Sequence, residues 1–232
     1  MLKNDGKDYI YVIWKQPNTR RQYIIGELVK NGKYEFFYEH EVKDAIKEGF
    51  NLLISFDDLD KTYYCDELFP TFSSRLPDRK RRGIEKILKK YNLEEYDAYE
   101  LLKRSGAKLP IDNLEFIDPM PNQIESDIKR YFYIAGVRHW IGCEEGKYCS
   151  KSAEVSIGDK FSLELESDNA YDSYAVKILD NKSNIIGYIP RYYSENLTNF
   201  IKAGYKYSCE ACIVNKDYNC NECIKVKLKV FK

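Results

Sequence analysis

The sequence predicts an α+β module followed by a mainly β small barrel with one or two helices. Three observations carry that expectation: a β-rich opening from Tyr9 to Tyr38, a middle that turns to helical spacing, and a second half of short strand-like runs around one helix. At 232 residues, the chain has room for one large domain or two small ones with buried cores. A composition of 44% hydrophobic and 32% charged residues is globular and excludes a collagen-like or disordered chain.

In the opening, the runs YIYVIW, QYIIGELV and KYEFFY read as strands, and Asn31-Gly32 between the last two is the turn chemistry of a tight hairpin. Val42, Ala45 and Ile46 then stand at helical spacing, and Gly49 ends that short helix. Asp66 caps a turn carrying Leu68, Phe69 and Phe72. A helix from about Arg79 to Tyr91 turns Ile84, Ile87 and Leu88 inward, and another runs from Asp97 to Ser105 and stops at Gly106. IDPMPNQIESD, from Ile117 to Asp127, concentrates Pro, Asn, Asp and Ser between two differently patterned regions. The expected division is therefore a first domain over 1–120, a linker over 121–128 and a second domain over 129–232. In that second domain FYIAGV, KFSLELE, AVKIL and IIGYI are strands, Ser194 to Ala203 is a helix, and YKYSCEACIV with CIKVKLKVF forms a hairpin. Such a succession favours a small barrel over a parallel sheet.

The longest apolar run, Tyr9 to Trp14, is only a strand long, and the opening residues lack an export signal, so no membrane span is expected. Seven cysteines, an odd and sparse set, argue for reduced thiols and a cytoplasmic protein. Lys plus Arg balance Asp plus Glu at 37 each, which excludes a uniformly basic coat; a polyanion site has to be local. The 21 tyrosines exceed what such cores need, and tyrosine rings are good stacking surfaces.

The second half carries FYIAGVRHW, then IGDKFSLELESDNAYDSYAVKIL, then IIGYIPR with a helix ending near AGY. In this order these pieces resemble the HIRAN domain, a module of helicase-like DNA repair proteins and of small bacterial proteins, over about Lys129 to Phe231. The resemblance implies an OB-like barrel whose pocket holds the free 3′ end of single-stranded DNA, with no cofactor required. It places Arg138, His139, Asn169, Tyr171, Asp172, Tyr188 and Arg191 around that pocket.

The residue chemistry is compatible. Arg138 follows a strand ending in Gly136 and Val137, where a guanidinium can leave the sheet and meet a phosphate; Arg191 follows Pro190 at a helix start. Tyr171 offers a ring to a base, and Asp172 an acceptor that suits a terminal hydroxyl and repels a terminal phosphate. Tyr188 and His139 line the pocket by the family pattern, and Asn169 shapes the loop. From residue types alone the alternatives stay open: surface arginines in ion pairs, tyrosines in barrel packing, Asn169 and Asp172 as turn formers. Ala170 stands where the family commonly has proline, and 142–156 is a longer segment.

CEAC at Cys209–Cys212 and CNEC at Cys220–Cys223 have the paired spacing of a four-thiolate structural Zn²⁺ site. Residues three apart on a strand point to opposite faces, so such a site needs a knuckle-like turn; free thiols are the competing reading.

The first half contains CDELFPTFSSRLPDRKRRGIEKILKKYNL and AYELLKRSGAKLPIDNLEF, which resemble the first N-terminal subdomain of HipA-type toxins over about Tyr9 to Phe116. No kinase lysine strand, HRD-type loop or DFG follows, and no GxxxxGK[ST] loop occurs, so neither phosphoryl transfer nor helicase activity is expected of this chain. The run Arg75, Arg79, Lys80, Arg81, Arg82, Lys86, Lys89 and Lys90 fits either a nucleic-acid backbone or a solvated helix face balanced by Glu85 and Glu94.

The leading expectation is a non-catalytic, cytoplasmic, bacterial protein that binds single-stranded DNA or other nucleic-acid ends. The alternative is an interaction or regulatory subunit of a toxin or defence system, docking a protein through the first module with the barrel as scaffold. A third, a metal-dependent nuclease, would use Asp57, Asp58, Asp60 and Glu67.

Overall fold

The computed structural model describes residues 8–124, 126–140, 155–215 and 222–232, and the chain divides into two units, Met1–Pro119 and Met120–Lys232. The stretch 121–128 lies in the second unit, where Ile124 and Ile128 are buried.

In the first unit the strands are β1 (Asp8–Lys15), β2 (Gln22–Asn31) and β3 (Lys33–Tyr38), followed by α1 (Val42–Lys47) and β4 (Tyr63–Cys65). Then come α2 (Pro70–Ser73), α3 (Ile84–Lys90), α4 (Ala98–Ser105) and β5 (Leu114–Ile117). The antiparallel sheet runs β4-β3-β2-β1-β5, and Asn31 pairs with Lys33 across the Asn31-Gly32 hairpin. On its packed side Phe36, Phe56, Phe72 and Phe116 form a chain of ring contacts with centroids 4.3 to 5.3 Å apart, which is the heart of this core. Asp97 caps α4 by accepting from the Glu100 amide at 3.0 Å, and Gly106 ends it. The expected helix from Arg79 starts only at Ile84. Asp78 ties the preceding residues into a turn through its side chain to the Lys80 amide at 2.6 Å and its carbonyl to the Arg81 amide at 2.9 Å.

Arg75 belongs to the core rather than to a basic surface. Its side chain is 6% exposed, forms a bidentate pair with Asp112, and donates to the Ala107 and Leu114 carbonyls at 3.0 and 3.2 Å. Burial, the largest influence, raises the Asp112 carboxyl, but the Arg75 hydrogen bonds, the Leu114 amide and the Arg75 charge together hold the group below its usual range.

The second unit comprises β6 (Ile128–Tyr133), α5 (Val137–Trp140), β7 (Lys160–Glu166), β8 (Ala175–Leu179) and β9 (Ile185–Tyr188). It ends with α6 (Arg191–Lys202), β10 (Lys206–Val214) and β11 (Ile224–Phe231). The antiparallel order is β6-β11-β10-β7-β8-β9, with strict in-out alternation along β11. The two edges meet: Ala135 and Tyr188 exchange backbone hydrogen bonds of 2.9 Å each, curling the sheet into a small barrel. This requires glycine at 187, because a Cβ there would collide with the Ala135 carbonyl oxygen and the Ile134 side chain. The α6 helix lies beside the barrel with Tyr193, Leu197 and Phe200 buried, and Thr198 Oγ1 donates to the Tyr174 carbonyl at 3.0 Å.

Replacing Asp112 by Ala strands a buried guanidinium and is expected to destabilise the first unit by about 3 kcal/mol, measured by urea unfolding. Gly187→Ala is expected to cost about 2 kcal/mol through overpacking, with faster hydrogen exchange at the Ala135 and Tyr188 amides.

Candidate nucleic-acid interface

The seven predicted residues fall on three neighbouring pieces of the second unit. Asn169, Tyr171 and Asp172 lie in the loop between β7 and β8; Tyr188 ends β9 and Arg191 opens α6; Arg138 and His139 sit on α5. The chain reaches α5 differently from the expected direct strand exit. β6 ends at Tyr133, and after the Ala135 bridge Gly136 takes φ 71°, turning the backbone into the single helical turn of α5.

Asn169 organises the loop. Its Oδ1 accepts from the Tyr171 and Asp172 amides at 2.9 and 3.2 Å, and its Nδ2 donates to Glu166 Oε2 at 2.7 Å. With the backbone held in this way, the Tyr171 side chain projects outward and is 84% exposed. Asp172 is tied to α6: Oδ2 accepts from Ser194 Oγ at 2.7 Å, and Oδ1 from the Tyr174 amide at 2.9 Å. The Ser194 hydroxyl, itself buried, also lies 2.8 Å from the Arg191 carbonyl. Both carboxylate oxygens of Asp172 therefore carry one internal bond, and each keeps a further lone pair.

Glu166 joins this loop to the barrel edge. Its Oε2 also accepts from Tyr188 Oη at 3.0 Å, while Oε1 accepts from Lys177 Nζ at 2.9 Å. The Asn169 hydrogen bond, together with those from Lys177 and Tyr188, holds the Glu166 carboxyl below its usual range against the opposing effect of burial. Burial and the Glu166 bond raise the Tyr188 phenol, so it remains a neutral donor. The Tyr188 ring meets Trp140 of α5 at a centroid distance of 6.0 Å, and beside Trp140 the Arg138 Nε donates to His139 Nε2 at 3.1 Å. Hydrogen bonds and ring contacts thus join Asn169, Tyr188 and α5 on one side, and Asp172 and the start of α6 on the other.

Glu166, Lys177, Ser194 and Trp140 were not among the predicted residues. A signal for two of them exists in the sequence: Glu164 and Glu166 alternate on one face of β7, and Lys177 stands opposite Glu164 in the β7–β8 register. A groove of about 830 Å³ borders Trp140 and is lined by Val155, Lys160, Phe161, Lys182 and Ile186 among others; its wall holds none of the seven residues.

Cys209 and Cys223 are buried, and burial pushes the Cys209 thiol up to about 12; the Cys212 thiol lies 3.3 Å from the Lys225 carbonyl at a bulge of β10. Cys220, the fourth residue of the expected set, lies outside the described residues, as do Cys143 and Cys149. Among the described residues no three His, Cys, Asp or Glu side chains form a group able to hold a metal ion. In the first unit Asp57 and Asp58 serve a turn, where Tyr63 Oη accepts from the Asp58 amide at 2.7 Å and lies 3.2 Å from Asp57 Oδ1. No helix among the described residues is long and apolar enough to cross a membrane.

Residues 131–231 match the family model of the HIRAN domain. The chain carries a HIRAN domain. Domains of this family are known to bind nucleic acid, and the Ala135–Tyr188 seam, the β7–β8 loop, α5 and α6 all lie within the matched HIRAN span. Residues 20–110 match the model of the HipA N-terminal domain. Among solved structures, the HIRAN domain of human HLTF is 12% identical, with 47% of this chain and 81% of that chain covered and a TM-score of 0.34. A protein from Lactobacillus plantarum is 16% identical, with 46% and 99% covered and a TM-score of 0.36. No curated protein matches the chain.

A glutamate whose folded pKa is lowered contributes stability that is full above its unfolded value and is lost as the pH falls through the folded value. Lys177, raised by its bonds to Glu166 and Glu164, stays charged throughout that window. Glu166→Gln is therefore expected to flatten the acid limb of stability between about pH 5 and 3, read by urea unfolding at stepped pH.

Proposed function

We propose that the HIRAN domain of this chain binds the free 3′-hydroxyl end of single-stranded DNA, without catalysis. The observation that carries this reading is Tyr171: a ring 84% exposed, on a loop whose backbone amides are held by Asn169. A large aromatic side chain standing out from a fixed loop offers a base a stacking surface at little entropic cost. Tyr188, its hydroxyl anchored on Glu166, supplies the second ring. Arg138, with His139 against it, and Arg191 at the start of α6 hold phosphates. Asp172 reads the end: its remaining lone pairs accept a terminal hydroxyl, whereas a terminal phosphate brings a dianion beside a carboxylate already fixed by Ser194. The Ser194 and Tyr174 bonds give that carboxylate one orientation before the strand arrives.

Fluorescence anisotropy with a labelled oligonucleotide ending in hydroxyl or phosphate tests this reading. The phosphate end is expected to bind about 10-fold more weakly or worse, Asp172→Asn to lose most of that discrimination, and Tyr171→Ala to weaken binding by about 5-fold or more. Equal weak binding in every arm would overturn it.

A further inference from the structure

The outward face of the barrel on the β6–β11 side is strongly basic. On β11 the alternation that buries Ile224, Val226, Leu228 and Val230 turns Lys225, Lys227 and Lys229 outward. On β6 the same alternation presents Lys129, Tyr131 and Tyr133, and the register places Lys225 opposite Tyr133, Lys227 opposite Tyr131 and Lys229 opposite Lys129. The result is a ladder of three rungs, two Lys–Tyr and one Lys–Lys. Lys225 Nζ sits 5.4 Å from the centre of the Tyr133 ring, and Tyr131 is 54% exposed. The next strand, β10, adds exposed Lys206 and Ser208, and Glu210 is the single acid among the outward positions of these three strands. None of Lys129, Lys225, Lys227 and Lys229 forms an ion pair with a described residue.

A chain with zero net charge that gathers on one strand face lysines with no ion-pair partner among the described residues creates a local positive field. Successive rungs lie about 6.8 Å apart, so the three β11 lysines form a row rather than a single point. Lysines beside exposed tyrosine rings suit a flexible polyanion that also carries flat apolar groups, which describes a single-stranded nucleic acid better than a lipid surface or an acidic peptide. The track is continuous with the end-binding surface: from Tyr133 the chain runs through the Ala135 bridge directly into α5 and Arg138.

We propose that the Lys–Tyr ladder of β6 and β11 is a second contact track, which binds the sugar-phosphate backbone of a single strand upstream of its end. It rests on the nucleic-acid reading of the same domain and adds a requirement for strand length.

The test compares oligothymidylates of about 4 and about 20 nucleotides with free 3′ hydroxyls, by anisotropy across a salt series. For wild type the long strand binds more tightly and with a steeper salt slope. The combined Lys225→Gln, Lys227→Gln and Lys229→Gln variant is expected to lose about 10-fold in affinity for the long strand. Its log-log salt slope falls by about 2, and binding of the short strand is unchanged. Lys227→Gln alone, which minimises any effect on folding, is expected to reduce the slope by about 0.7. Circular dichroism melts confirm that the variants are folded. Unchanged long-strand affinity and slope in both variants overturn the track, as does wild-type binding to anionic vesicles but to neither strand. If Tyr171→Ala leaves both strands unaffected while the lysine variants weaken the long one, the end-binding reading fails and the track stands.

Discussion

Two backbone hydrogen bonds between Ala135 and Tyr188 govern the second unit. They bring the segment after the first strand of this unit against the fourth, and they exist only because residue 187 has no side chain to hold the two backbones apart. Without that approach the six strands would form an open curved sheet with two free edges. With it, α5 is delivered next to Tyr188, and the turn at Gly136 decides where Arg138 begins. Closure thus sets both the architecture and the position of one of its cationic groups.

Around that seam the polar groups are satisfied in a particular order. Glu166 takes bonds from a loop amide, a lysine and a phenol, and Asp172 takes bonds from a helix serine and its own loop. Neither carboxylate lacks an internal partner. Each fixes the position of a neighbouring side chain: Glu166 orients the Tyr188 ring, and Asp172 ties the Tyr171 loop to α6. The exposed ring of Tyr171 stands on a support built from hydrogen bonds, in a loop that has Ala170 where a proline would have supplied stiffness through its ring.

Much of this was legible in the sequence where the signal is local. Strand β7 announces itself by alternation, β8 by a short, mostly apolar run, the hairpin by Asn31-Gly32, and α4 by Asp97 and Gly106 at its ends. Strands β4 and β5, three and four residues long, carry no such pattern and exist because β3 and β1 offer them partners. The helix expected from Arg79 failed at its start because Asp78 competes for the backbone amides that a helix would use. Arg75, read as one member of a basic run, is a buried staple, since nothing in the local composition announces Asp112 across the core. At the candidate interface the residue types pointed to the loop and the helix start, but the internal partners of Asp172 and the junction at Glu166 depend on pairings between segments far apart in the chain.

The strand order has a consequence for biosynthesis. β6, the earliest strand of its unit to leave the ribosome, pairs along its length only with β11, the last, and its continuation pairs with β9. Throughout translation of the intervening residues that edge has no permanent neighbour, a situation in which nascent chains associate wrongly. Lys129 and Arg130 near its beginning place positive charge on the waiting strand, so a segment that must stay unpaired for nearly a hundred codons carries its own deterrent against premature partners.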